Sequence, residues 1–335
     1  MPEILLTGAS GFIGAALLRS LLQPPSPLAW PQAWPFGRVR VALRKPSALA
    51  HTQALPHAPA LAVYPLPAWS APSDWSAALA GTHTVIHAAA QAEVGPGNSA
   101  ASEQALRLAN IDATLALARQ AAAEGVRRLV FISSLKVHGE WTAHGQRFRH
   151  DDTPHPIGPY AQSKWEAEQG LLHIAAQTGL ELVILRPPLV YGPGVKGNFA
   201  ALMRWVARGR VLPLGAIKHN ARSLVALDNL VDLALTCAVH PAAANQTFLV
   251  SDGLDLSTAA LLHRVGEALG RPARLWPLPQ ACLRLGAQCI GRPAVYQRLC
   301  GSLQVDMEHT QQRLGWVPPI DLDEGLRRAV QGLKR

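Results

Sequence analysis

Tyr160 and Lys164 stand four residues apart in Gly158-Pro159-Tyr160-Ala161-Gln162-Ser163-Lys164, downstream of the pair Ser133-Ser134. On a helix, positions i and i+4 share a face, so this spacing would bring a phenol and an ammonium together. A phenol with an ordinary pKa of ~10 is a poor base at neutral pH. A cation beside it favours the phenolate, so the expectation is a lowered Tyr160 pKa. A serine hydroxyl can hold an oxygen of the reacting molecule in reach of that phenol. The chemistry such a set performs is proton transfer at an alcohol or carbonyl oxygen. Tyr-x-x-x-Lys alone occurs by chance in many helices, so its weight comes from what precedes it.

The chain opens with Thr7-Gly8-Ala9-Ser10-Gly11-Phe12-Ile13-Gly14, directly after the short apolar run Glu3 to Leu6. Gly8 would make the tight turn off a strand, Gly11 would let backbone approach a pyrophosphate, and Gly14 would let a helix pack closely on a sheet. The first turn of that helix, with Ser10, Phe12 and Ile13, would offer N–H groups and a positive dipole end to phosphates. A purely structural glycine turn is the other reading, and the strand-turn-helix context favours the cofactor. The second strand ends Leu43-Arg44-Lys45, without the acid that would meet the ribose hydroxyls of NAD. A guanidinium there suits a 2′-phosphate, so NADP(H) is favoured and NAD(H) stays possible. Solvated surface charge is the plain alternative for Arg44 and Lys45.

The elements that must position these groups alternate. Strands are expected at Glu3–Leu6, Val39–Leu43, Leu61–Leu66, Thr84–Ala88, Arg128–Ser133 and Leu182–Leu185. Helices are expected at Phe12–Leu22, Asp74–Ala80, Ala101–Glu124 and Tyr160–Thr178, the last with Glu166 and Glu168 on its exposed side. This pattern predicts an α/β, Rossmann-type doubly wound parallel sheet. The texture changes after Tyr191-Gly192-Pro193-Gly194. Residues 1–190 are read as a dinucleotide-binding domain, with a return at 221–245. Residues 191–220 and 246–335 are read as a smaller mixed α/β substrate-binding domain. Gln23 to Gly37, rich in Pro and Trp, reads as a long surface loop.

The chain has 335 residues, 49% of them apolar and 16% charged, enough to bury a sizeable core. Its net charge is +9. Its Arg and Lys residues are scattered along the sequence, so phosphate-bearing ligands explain the sign better than nucleic acid, which is not expected as a partner. Cys237, Cys282, Cys289 and Cys300 form no CxxC pair, so no metal is expected and a reduced, cytoplasmic protein is the simple reading. No signal peptide and no stable membrane insertion are expected.

Together these residues resemble the short-chain dehydrogenase/reductase superfamily, extended branch, over nearly the whole chain. The resemblance rests on the TGASGFIG opening, His87-Ala88-Ala89-Ala90, Asn110, the Ser134/Tyr160/Lys164 set and the LRPPLVYGPG segment with Pro187. It implies that Ser134 rather than Ser133 is catalytic and that Asn110 shapes the proton path. It also implies that Leu66, Ala88, Ala89, Ala90, Asn110 and Pro187 line the cofactor. Phe131 to Val137, Gly197-Asn198-Phe199, Ala221 to Val225 and Gly301 to Asp306 are similar to the UDP-glucose 4-epimerase-like branch. That branch includes 4-keto reductases making UDP-6-deoxy-N-acetylhexosamines for surface polysaccharides. The likeness implies a UDP-sugar substrate contacted by Ser134, Lys136, Asn198, Arg222 and, more weakly, Arg298. For Arg222 a domain-domain ion pair is the competing reading. It also implies a homodimer through the two long helices. Leu66-Pro67 replaces the family's usual Gly-Asp after the third strand, which puts the adenine contact in doubt.

Three functions follow. The first is an NADPH-dependent 4-keto reductase of a UDP-4-keto-6-deoxy-N-acetylhexosamine, favoured by the acid-free Leu43-Arg44-Lys45. The second is a UDP-hexose or UDP-N-acetylhexosamine 4-epimerase with tightly held NAD. The third is a catalytically silent cofactor-binding scaffold, against which the intact Ser/Tyr/Lys set argues. A dehydratase is disfavoured because Leu135 and Lys136, rather than a carboxylate, follow Ser134.

Overall fold

The structure, a computed structural model, describes residues 2–23, 36–44, 60–66, 74–91, 100–143, 145–289, 291 and 293–333. Lys45, Pro67 and most of the Gln23 to Gly37 loop lie outside them. The chain divides into two compact units: 1–137 with 154–186 and 231–248, and 138–153 with 187–230 and 249–335. The sequence boundaries at 190 and 221–245 thus differ from this division. The segment 138–153 joins the second unit, and the later return to the first begins at 231.

In the first unit, β1 (Glu3–Thr7), β2 (Arg38–Leu43), β3 (Ala60–Pro65), β4 (Thr82–His87), β5 (Arg128–Ile132) and β6 (Glu181–Arg186) are short, largely apolar runs. Strands of that texture are buried on both faces by crossover helices, which forces parallel pairing. The sheet order is β3-β2-β1-β4-β5-β6, extended after β6 by Gln246–Leu249, and the first six strands pair in parallel. Strand order reverses between β1 and β4, and ligands of open α/β sheets bind at that switch point, beyond the carboxyl ends of the strands. Leu5, Val85, Leu129, Phe131 and Ile184 form a core with Leu117, Ala121, Ala167 and Leu171 of the covering helices.

Helix α1 (Phe12–Leu22) follows the glycine turn, and α2 is the short Ser76–Leu79. The expected helix from Ala101 to Glu124 is instead α3 (Ala100–Leu106), a π-helical turn (Arg107–Asp112) and α4 (Ala113–Ala123). Such π turns recur at functional sites, and this one carries Asn110. Helix α5 (Pro159–Thr178) starts on Gly158, whose φ of +86° is left-handed, with Pro159 in the first turn where its missing N–H costs nothing.

In the second unit, β7 (Leu189–Tyr191) pairs in parallel with β8 (Leu224–Ala226). The helices α6 (Gly197–Ala207), α8 (Thr258–Ala268) and α12 (Leu322–Gln331) surround them, α7 (Leu227–Val239) running from β8 back into the first unit. The core of the second unit includes Tyr191, Phe199, Met203, Leu224, Leu262 and Leu326. Helices α9 (Gln280–Cys289), α10 (Pro293–Cys300) and α11 (Glu308–Leu314) complete this unit.

Glu168 corrects the sequence reading. It is buried rather than exposed. Its carboxylate takes Nη2 of Arg186 at 2.6 Å and Nε at 3.2 Å, and accepts a short bond from the Ser133 hydroxyl. A carboxylate is tolerated there because the last residue of β6 supplies a matching buried cation. Removing one partner leaves a lone buried charge, which costs about 3–5 kcal/mol. Glu168→Ala is therefore expected to lose stability of that order in urea denaturation. A loss below about 1 kcal/mol would show that water reaches Arg186.

Candidate active site

The glycine turn leaves β1 at Gly8, whose φ is +75°. A Cβ at Gly8 would lie 2.6 Å from the Ala89 backbone nitrogen, so the turn and the β4 end touch main chain to main chain. A Cβ at Gly14 would come within 2.0 Å of the Gly8 carbonyl oxygen, which fixes how closely α1 can sit on the turn. The Gly11 N–H donates to that same oxygen at 2.9 Å. No side chain caps α1 and its first turn holds no acid, so its positive end is not neutralised locally. Backbone without side chains at a helix start at the switch point fits a dinucleotide pyrophosphate. Ser10, Phe12 and Ile13 belong to this turn. Arg44 is exposed just after β2, and the Leu66 N–H donates to the Leu43 carbonyl at 2.8 Å. Pro187 is buried at the start of the second unit's 187–230 segment.

Ala88, Ala89 and Ala90 follow β4, and the next residue is clamped by Asn110. The Asn110 Oδ1 accepts from the Gln91 N–H at 2.8 Å, and its Nδ2 donates to the Gln91 carbonyl at 3.0 Å and to Ser163 Oγ at 2.9 Å. Ser163 Oγ in turn donates to the Tyr160 carbonyl at 2.9 Å. One asparagine on the π turn thus ties the β4 end to the first turn of α5. Residue type and spacing give no sign of Ser163, although it sits between the two candidate residues.

Ser134 follows β5, and Tyr160 and Lys164 lie one turn apart in α5. The Ser134 hydroxyl, which accepts from the Lys136 N–H at 3.3 Å, lies near enough to the Tyr160 phenol to favour its ionised form. Tyr160 does not follow the sequence expectation of a lowered pKa. Burial pushes its phenol up, and the group opposing that rise is the Ser134 hydroxyl rather than Lys164. Lys164 is fully buried. Its Nζ lies 4.0 Å from the centre of the Phe131 ring, a cation–π contact. Burial brings its pKa down to about 7, with the Glu168 charge working against that fall. Lys136 lies in a 3₁₀ turn (Leu135–Val137), its Nζ 6.0 Å from the Tyr160 ring centre.

Beneath this group lies a side chain whose role the sequence does not reveal. His87 is buried, with Nδ1 2.6 Å from Thr7 Oγ1 and Nε2 2.9 Å from Thr114 Oγ1, and it stacks on Phe131 at 5.7 Å. Burial, then the Lys164 charge, brings its pKa to about 3, so it is a neutral structural link between β1, β4 and α4.

The expected substrate residues Asn198, Arg222 and Arg298 lie in the second unit. Asn198 is exposed in the first turn of α6. Arg222 donates to the Gly301 carbonyl at 3.0 Å, and burial, then the Arg298 charge, lowers its pKa while Glu140 opposes. Arg298 also lies 3.6 Å from Glu140. Two guanidiniums close enough to repel form a local surplus of positive charge. Among the described residues no cluster of His, Cys, Asp and Glu could hold a metal, and no helix is long and apolar enough to cross a membrane.

Residues 4–251 match the family described as NAD dependent epimerase/dehydratase. A UDP-glucose 4-epimerase from Vibrio cholerae is 42% identical over 332 residues, covering 99% of this chain and 95% of that protein. A 2-alkyl-3-oxoalkanoate reductase from Stenotrophomonas maltophilia is 28% identical, covering 97% and 98%. Among solved structures, MoeE5 in complex with UDP-glucose and NAD is 25% identical, with 99% of each chain covered and a TM-score of 0.72.

The Lys164 environment makes a stability prediction. The unfolded lysine titrates near its ordinary 10.5 and the folded one near 7. Between those values the unfolded chain binds more protons, so this residue makes stability rise with pH across that window. His87, depressed to about 3, acts below it. Lys164→Met should therefore be more stable than the wild type at pH 6, with the gap closing toward pH 10. A gap that stays constant in thermal unfolding from pH 7 to 10 would contradict the burial of an ionisable amine here.

Proposed function

This chain belongs to the NAD dependent epimerase/dehydratase family, and from that premise we propose that it is a 4-epimerase of a UDP-hexose or UDP-N-acetylhexosamine. The 42% identity to a UDP-glucose 4-epimerase over 99% of the chain is the observation that carries this over the reductase reading. Gly8, Gly11, Gly14 and the α1 start would hold the cofactor pyrophosphate, with Ala88 to Ala90, Leu66 and Pro187 around it. The bound nicotinamide would supply reversible hydride exchange at the sugar C4.

The side chains then handle the proton. Tyr160 Oη takes the proton of the 4-hydroxyl as that carbon is oxidised and returns it to the 4-keto oxygen on reduction. Ser134, whose hydroxyl favours the ionised Tyr160 phenol, would hold the same sugar oxygen. Lys164, when protonated, steadies the phenolate electrostatically, and the Phe131 ring helps keep its charge in a dry site. Arg222 and Arg298, with Asn198, would take the diphosphate of the substrate, since guanidinium matches phosphate in charge and geometry. Lys136 is proposed as a sugar contact beside Tyr160. A homodimer through α3, α4 and α5 completes the proposal.

A second reading keeps a specific observation on its side. Arg44 closes β2 where an NAD enzyme of this fold would carry an acid, which favours NADPH and a 4-keto reductase. The two differ in how they treat the cofactor. An epimerase retains it through turnover, and a reductase must exchange it.

The purified protein is expected to carry stoichiometric NAD and to interconvert UDP-glucose and UDP-galactose, or their N-acetyl counterparts, without added cofactor. Tyr160→Phe should lower kcat by about 10²–10⁴-fold with the fold retained by circular dichroism. Net consumption of NADPH with a UDP-4-keto-6-deoxy-N-acetylhexosamine, and no epimerisation, would replace this reading with the reductase.

A further inference from the structure

The positive charge is not spread evenly. Of the 31 Lys and Arg residues, 12 fall in residues 182–227 and 268–305, and none of the 22 Asp and Glu do. The remainder of the chain is slightly acidic, so the whole net charge of +9 originates in these two stretches. Most of both stretches belongs to the second unit.

Within that unit the two stretches are joined main chain to main chain. The Leu212 N–H donates to the Arg274 carbonyl at 2.9 Å, the Trp276 N–H to the Leu212 carbonyl at 2.8 Å, and the Gly215 N–H to the Trp276 carbonyl at 3.0 Å. Arg271 reaches across to the Ala207 carbonyl at 3.0 Å. The surface built here carries Arg204, Arg208, Arg210, Arg271 and Arg274, with Arg284 following in α9, all exposed and none in an ion pair among the described residues. In sequence the two stretches are bordered by Glu181, Asp228, Glu267 and Asp306.

Large apolar side chains stand among these cations. Trp205 is 44%, Trp276 58%, Val211 60% and Leu285 63% exposed. Exposed arginine side chains without an acidic partner, mixed with exposed tryptophan and aliphatic groups, suit the headgroup region of a bilayer. There guanidinium meets lipid phosphate and the indole rings enter the acyl boundary. A nucleic acid would use the cations and would leave Val211 and Leu285 in water.

We propose that this face of the second unit docks the protein on an anionic membrane surface, as a peripheral contact. The contact needs both parts. Charge draws the protein to the surface within a Debye length, and the apolar side chains give attraction that salt does not screen. It is independent of which sugar nucleotide the enzyme turns over.

The test is sedimentation of the full chain with vesicles of 30% phosphatidylglycerol in phosphatidylcholine, against vesicles of phosphatidylcholine alone. Binding is expected to the first and not the second, and to fall steeply from 50 to 500 mM NaCl. Arg204→Gln, Arg208→Gln and Arg274→Gln combined should weaken it about 100-fold, at roughly fivefold per lost cation. Trp276→Ser should weaken binding that remains at high salt. These substitutions should leave enzymatic turnover in solution unchanged. Equal binding to neutral vesicles, no binding to anionic ones, or unaltered binding by the triple variant would overturn the proposal. So would a wild-type dimer that the triple variant dissolves, without any vesicle binding, since the face would then be a contact between copies. Tight binding to single-stranded polynucleotide without vesicle binding would equally overturn it.

Discussion

A lysine ammonium removed from water is the constraint around which the first unit is arranged. Lys164 sits on α5 over the Phe131 ring, in the field of Glu168. An isolated buried cation would lose its proton or unfold its surroundings. The fold answers with an aromatic face on one strand and a buried carboxylate one turn along the helix. That carboxylate in turn requires Arg186 at the end of β6 and the Ser133 hydroxyl. His87 must then stay neutral beneath Phe131, and two threonine hydroxyls occupy its ring nitrogens. The residues that look catalytic in the sequence are thus held by a deeper layer of polar residues with no catalytic look at all.

The sheet and the glycine turn are legible in the sequence because their causes are local. Short apolar strands, Gly14 where a Cβ would strike the Gly8 main chain, and Gly158-Pro159 opening a helix each act within a few residues. Ser134 at a strand end and Tyr160 and Lys164 at a helix start are legible as positions because those elements are read from short local patterns. Glu168 reads as surface because a carboxylate on a helix is exposed unless a buried partner meets it, and Arg186 comes from a different strand. The Tyr160 pKa departs from expectation for a related reason. Spacing puts the ammonium on the same helix face as the phenol, but burial dominates both groups, and the charge acting on Lys164 is that of Glu168. The break in the long helix at Arg107–Asp112 has no clear local signal, since the segment holds neither Gly nor Pro and starts with the good helix formers Arg107, Leu108 and Ala109. It becomes intelligible once Asn110 is seen holding both backbone groups of Gln91.

Charge is legible in total and not in place. Read along the chain, the arginines are scattered. Folding brings two acid-free stretches side by side through the bridge between Leu212 and Leu275, and only then does a cationic face with exposed tryptophans exist. The same unit carries Arg222 and Arg298, whose mutual repulsion marks a second, smaller positive site.

The most direct measurement follows the hydrogen on C4 itself. With UDP-hexose carrying deuterium at C4, turnover in ordinary water should be slowed by a primary isotope effect, and the epimerised product should keep its label at C4. With Tyr160→Phe the same transfer should nearly stop while bound NAD remains. Label lost to solvent, or a rate indifferent to deuterium at C4, would contradict a hydride that leaves and returns at that carbon while Tyr160 moves the proton.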